Sequence, residues 1–157
     1  MDLFGKLGVL AKNEIEARFE ILNETYVKKL QIEARIIGDI CLNHVIPAAV
    51  RYQNVLIENI KGIKEIFGEG YMNFCSAEIE TLKKISTYIN NISADVEELV
   101  EARKRANKIE NIAERAKVYS HSVKDMMEKV RDSADHLEMI VDDEMWPLPK
   151  YRELLFF

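Results

Sequence analysis

The chain has 157 residues, 48% hydrophobic and 31% charged, with 22 Lys plus Arg against 27 Asp plus Glu for a formal net charge of -5. This is the balance of one globular domain large enough for a single core, and its mild acidity gives no reason to expect nucleic acid as a partner. Six Gly and three Pro are about half the usual ~12% combined share, which argues against a turn-dense all-β fold.

The first predicted element runs from about 13 to 67. Beginning at Ile15, apolar or small residues recur at Phe19, Leu22, Tyr26, Leu30, Ala34, Ile37, Cys41, Val45, Ala48, Tyr52, Leu56, Ile60, Ile63 and Phe67. Steps of three and four give the α-helical period. Asn13 with Glu16 three residues later reads as a capping-box start, and Gly68 and Gly70 supply the stop. Such a helix is ~80 Å long at ~1.5 Å per residue. Pro47 lacks a backbone donor and crowds the preceding turn, so a kink or break is expected near 43–47.

A second helix is predicted over about 76–104, with Ser76 as its N-cap. Its seam, Leu82, Ile85, Ile89, Ile92, Val96 and Leu99, is a strict heptad. A third series, Ile109, Ile112, Ala116, Tyr119, Val123, Met126, Val130, Leu137 and Val141, is one residue out of phase with the second. No Gly or Pro separates them, so a chain reversal near 104–110 and one long helix with a stutter both fit. An unbroken helix of ~65 residues would far exceed the ordinary ~11–12, which favours the reversal and a third helix over about 110–141. The fold class is therefore all-α, an antiparallel bundle of three long helices, the first kinked near Pro47. Beyond 141, Pro147 and Pro149 forbid continued helix, and 142–157 reads as an extended Trp/Pro tail.

Catalytic constellations are missing from this pattern. Di-iron bundles need Glu-x-x-His motifs, yet Cys41, Val118 and Ser133 stand three residues before His44, His121 and His136. There is no nucleophile elbow and no Gly-rich phosphate loop. Cys41 and Cys75 form neither a metal pair nor a disulfide framework, and neither has a nearby His to activate it, so a reducing, cytoplasmic setting is the expectation. The basic run Arg103-Lys104-Arg105-Ala106-Asn107-Lys108 has no interleaved aromatics and reads as a solvated helix end. Asn-x-Ser/Thr triplets at Asn23 and Asn91 fall inside predicted helices and read as chance. Met1-Asp2-Leu3-Phe4-Gly5 lacks the features of a signal peptide, and no apolar run approaches the ~18 residues of a membrane span. No catalytic, cofactor or metal residue is assigned, and no membrane partner.

Surfaces are the more informative feature. Between Ile36 and Val50 apolar residues surround nearly the whole first helix. A helix apolar all round is buried on more than one side, by a third bundle helix or by a separate domain or subunit. Arg35, Asp39 and Asn43 form an i, i+4 ladder there, read as structural pairing. Trp146, Tyr151 and Phe156-Phe157 are large anchors on a proline-stiffened segment, suited either to fold back on its own bundle or to dock elsewhere. Ile36, Ile40, Ile46, Val50, Trp146, Tyr151 and Phe156 are the interface candidates.

Several strings resemble a known family: Glu14-Ile15-Glu16-Ala17-Arg18, Gln31-Ile32-Glu33-Ala34-Arg35, Asn43-His44-Val45-Ile46-Pro47, Tyr52-Gln53-Asn54-Val55-Leu56-Ile57-Glu58-Asn59, and the ending Val141 to Phe156 with its Trp-Pro-x-Pro-x-Tyr and Leu-Leu-Phe. They resemble the C-terminal helical domain of type III glutamine synthetases of the Bacteroidetes kind, from about Leu3 to the end and most weakly through 68–80 and 104–125. The resemblance implies a parent enzyme that ligates ammonia to glutamate at the expense of ATP with Mg2+ or Mn2+, assembled from stacked hexameric rings. It implies that 1–12 connects to an upstream catalytic region, and that the partners are that region and neighbouring protomers of a ring-shaped homo-oligomer. None of the family's catalytic motifs occurs in this chain, so no such residue is carried over. A free-standing helical scaffold that self-associates through its heptad seams is the alternative.

Overall fold

The computed structural model describes residues 11–150 together with 153 and 154, and among these every regular element is helical. The elements are α1 (Lys12–Ile40), a π-helical turn (Cys41–Val45), α2 (Ile46–Phe67), a 3-10 segment (Gly68–Asn73), α3 (Ser76–Asn107), α4 (Ile112–Val118), a second π-helical turn (Tyr119–Val123) and α5 (Lys124–Ile140). They make three long rods, 12–67, 76–107 and 112–140. The expected connector 1–12 lies almost wholly outside the described residues.

The start of the first rod differs from the sequence expectation. Extended Ala11, at ψ 151, is the N-cap, and its backbone N–H donates to the Glu14 carboxylate at 2.9 Å. Glu14 at the third helical position thus does the reaching back that had been assigned to Glu16.

Pro47 does not break the rod. It lies in the first turn of α2, just after the π-helical turn, where the Ile46 N–H bonds to the Cys41 carbonyl five residues back. The wider turn absorbs the missing donor and makes room for the ring, so α1 passes into α2 through right-handed residues alone. The stop does occur where glycine was read: Gly68 takes φ 55, ψ -133, a region that side chains with a Cβ avoid.

At the other connection the chain turns through 108–111 rather than continuing as one helix. α3 runs on to Asn107, and Asn111 caps α4 by accepting from the backbone N–H groups of Ala113 and Glu114, both at 3.0 Å. The side-chain oxygen of Asn107 accepts from the Tyr119 hydroxyl at 2.7 Å and from Gln31 Nε2 at 2.6 Å. Arg115 Nε donates to the Ile109 carbonyl at 2.7 Å. Three rods are therefore clasped at one level. Ser76 is the first residue of α3, with Cys75 in the N-cap position.

Rising numbers on the first rod meet falling numbers on the second: Gln31 bonds Asn107, Gln53 bonds Ser86 and Asn59 bonds Glu78. Between the rods lie Val27, Leu30, Ala34, Cys41, Val45, Ala49 and Leu56 from the first, Ile85, Ile92, Val96, Leu99, Ala102 and Ala106 from the second, and Ala116, Tyr119, Val123, Val130 and Leu137 from the third. Burial of large aliphatic side chains is worth about 1.5–3 kcal/mol each before entropy is counted. Small residues bring the axes close at Gly38, where a Cβ would sit 3.4 Å from Val96 Cγ1.

The tail corrects another expectation. Its first residues, 142–145, form a turn rather than an extended segment. Asp142 organises a turn, its carbonyl accepting from the N–H groups of Met145 and Trp146 and its carboxylate from that of Glu144. The turn returns Val141 and Trp146 to the core, with Met145 and Leu148 packed beside them. Lys150 Nζ fixes the end by donating to the Glu138 carbonyl at 2.8 Å and pairing with Asp143.

Candidate docking faces

The thiols can be placed first. Cys41 and Cys75 are both free and buried, and burial, with the Asp135 carboxylate nearby, pushes the Cys41 thiol up to about 11. The Cys75 thiol donates to the Tyr71 carbonyl at 3.3 Å. A buried thiol held protonated, as at Cys41, is a poor nucleophile. Among the described residues no three His, Cys, Asp or Glu side chains gather where they could hold a metal ion, so these residues do not fit the divalent metal that the resemblance implies for the parent enzyme. Among the same residues no helix is long and apolar enough to cross a membrane.

The apolar middle of the first rod is buried along one stripe and open on both flanks. Cys41, Val45, Ala48 and Ala49 are inside, at 0–2% exposure. Ile36 and Ile40 flank them on one side and help line a groove of about 380 Å³ between α1 and α5, together with Leu30, Ile37 and Met127 and a rim of Glu33, Lys124, Glu128 and Arg131. On the other flank, Leu42 faces Val96 and Val100 across a shallower depression of about 350 Å³, and Val50 is exposed. Ile46 packs against the core and is partly buried. Of the Arg35, Asp39 and Asn43 ladder, the structure joins Asn43 Nδ2 to Asp39 Oδ1 at 2.6 Å. Thus Ile36 and Ile40 share one face, Val50 is exposed elsewhere on the rod, and Ile46, like Ile40, is partly buried against the core.

Trp146 is a correction to the docking set, because its ring is buried in the chain's own core at 8% exposure. The turn at Asp142 reverses the backbone just before it, and so turns inward an anchor that an extended tail would have offered outward. Tyr151 and Phe156 lie outside the described residues.

Sequence reasoning passed over a second face, at the start of α1. Phe19, Leu22 and Tyr26 belong to the apolar series of the first helix, yet they are 48%, 68% and 38% exposed. Phe19 and Tyr26 line a groove of about 310 Å³ with Ala113, Ala116 and Lys117 of α4 and with Ser120 and His121 of the following turn. A signal for its existence was present: Asn111 followed by Glu114 is an N-terminal capping pattern, and it dates the start of the third rod too late to cover the beginning of the first.

Relatives place these faces in a larger context. The family model described as Glutamine synthetase C-terminal domain matches residues 1–64. The chain is 47% identical over 149 residues to a glutamine synthetase of Bacteroides fragilis (strain YCH46), an alignment covering 94% of this chain and 20% of that protein. It is 31% identical to a type-3 glutamine synthetase of Dictyostelium discoideum, covering 98% of this chain and 21% of the relative, and 28% identical to a glutamine synthetase of Butyrivibrio fibrisolvens, covering 99% and 22%. The chain spans about a fifth of the length of these relatives, and in the Bacteroides protein the match is to the C-terminal region. Taken with the all-helical fold, these matches show that the chain is similar to the C-terminal domain of glutamine synthetases.

Proposed function

We propose that this segment is a non-catalytic C-terminal helical domain of a type III glutamine synthetase, an antiparallel bundle that serves assembly or interdomain packing of the enzyme. The parent reaction is the ATP-dependent ligation of ammonia to glutamate. One observation carries the reading: the alignment to the Bacteroides relative takes in 94% of this chain while using 20% of that enzyme. The type-3 name of the Dictyostelium relative supports the subclass.

The chemistry of the described residues favours a packing role. Both thiols are buried, no metal-binding cluster forms, and the uncovered features are apolar. ATP and Mg2+ or Mn2+ would be held elsewhere in the parent enzyme. The open flanks at Ile36, Ile40 and Val50 are the surfaces through which the domain would meet its own catalytic region and neighbouring protomers of a ring-shaped homo-oligomer.

The test begins with the gene. A reading frame that continues upstream into a glutamate-ammonia ligase region is the expected result, and a gene encoding this bundle alone would instead favour a self-associating scaffold. Deleting 13–157 from the full enzyme should then change its assembly in light scattering; unchanged assembly together with unchanged ligase activity and stability would remove the packing role.

A further inference from the structure

We infer that the first four turns of α1 are a docking strip for the polypeptide that precedes this segment in the full enzyme, with Phe19, Leu22 and Tyr26 as its contact residues. The inference rests on the reading above and adds to it the surface and the occupant.

One continuous stripe runs along the first rod through Ile15, Phe19, Leu22, Tyr26, Leu30, Ala34 and Cys41. Its later part is covered at Leu30 (8%), Ala34 (2%) and Cys41 (2% exposure), with Ile37 partly buried against the core. Its earlier part is open, with Leu22 at 68%. The change follows from where the neighbouring rods end. α3 stops at Asn107, whose side chain meets Gln31 at 2.6 Å. The 19 helical steps from Lys12 to Gln31 therefore carry α1 roughly 28 Å beyond that level, at ~1.5 Å per residue. Among the described residues, α4 and the turn after it flank this overhang, and they leave the groove beside Phe19 and Tyr26. A helical stripe of aromatic and aliphatic side chains left in water is a mark of a partner.

Two facts identify the partner. About four fifths of the Bacteroides relative lies outside the matched C-terminal region, so the missing polypeptide is large enough to bury the strip. It would also enter the molecule at this end. Phe19 is seven residues past Lys12, about 10 Å of helix, so a region tethered through residues 1–11 reaches it at high effective concentration. The grooves beside Ile40 and Leu42 have no such tie to the point of entry.

The experiment uses the full-length enzyme carrying Leu22→Cys. The native Cys41 and Cys75 are buried, and peptide mass spectrometry separates label at position 22 from label elsewhere. The introduced thiol should react with a maleimide at least tenfold more slowly in the native enzyme than in the denatured chain. Reaction at the denatured rate in a folded, active enzyme would overturn the docking strip while leaving the synthetase reading intact. Protection lost on dilution to folded protomers would assign the strip to a second copy and also overturn the inference. Absence of any upstream synthetase region would instead overturn the reading beneath it.

Discussion

The two ends of α1 carry the same pattern and meet different fates. From Val27 onward the apolar stripe is closed over by two further rods, and residues such as Ala34 and Cys41 are nearly inaccessible. Before Val27 the stripe continues without change of period, yet Phe19 is 48% and Leu22 68% exposed. Periodicity therefore reports which face of a helix is apolar. It does not report how far the partners extend along that face.

That contrast can be tested most severely in the covered region. Ile92 is fully buried in the middle of α3, and Ile92→Ala should destabilise the fold by about 2–5 kcal/mol, read as a lower midpoint in urea unfolding. A smaller effect is expected at the clasp, where Tyr119→Phe removes the 2.7 Å bond to Asn107 and leaves Gln31 as the remaining side-chain donor to that oxygen. A loss of about 1 kcal/mol is expected, with the helical circular-dichroism spectrum unchanged.

Burial at Cys41 gives a comparison by pH. Its thiol is raised from 9.0 to about 11 in the folded chain, so the folded state holds a proton that the unfolded state releases first. The contribution to stability is complete below pH 9.0 and is lost as the pH climbs towards about 11. Unfolding midpoints should therefore fall over that window, and the fall should be shallower in Cys41→Ala even though that variant starts from a lower midpoint. The smallest effect belongs to the open end: Leu22→Ser should change the stability of the segment by no more than about 0.5 kcal/mol. A loss comparable to that of Ile92→Ala would show that the overhang is held by the bundle after all.

Much of the fold was legible because helix signals are local. The seam residues Ile85, Ile92, Leu99, Val123, Val130 and Leu137 are all fully buried, and Gly68 ends the first rod with the backbone angles that its lack of a Cβ allows. Reversal between the second and third rods was legible as a phase shift, but its place was not. The turn contains no Gly or Pro and depends on the Asn111 cap and on Asn107 receiving donors from two other rods. The candidate faces were less legible still. Ile36 and Ile40 do border an open groove, whereas Trp146 looks the same in sequence and is buried, because the turn at Asp142 returns it to the core.

The sequence by itself determined that the chain makes three helical rods, which face of each is apolar, and where the first one stops, since these depend on residue spacing and on backbone freedom at single positions. Only the tertiary structure decided that Pro47 would be absorbed by a π-helical turn, that Trp146 would be enclosed, and that the stripe would be covered from Val27 but open at Leu22. Those outcomes depend on the relative ends of packed rods and on hydrogen bonds between residues far apart in the chain, and no local pattern encodes a distance of that kind.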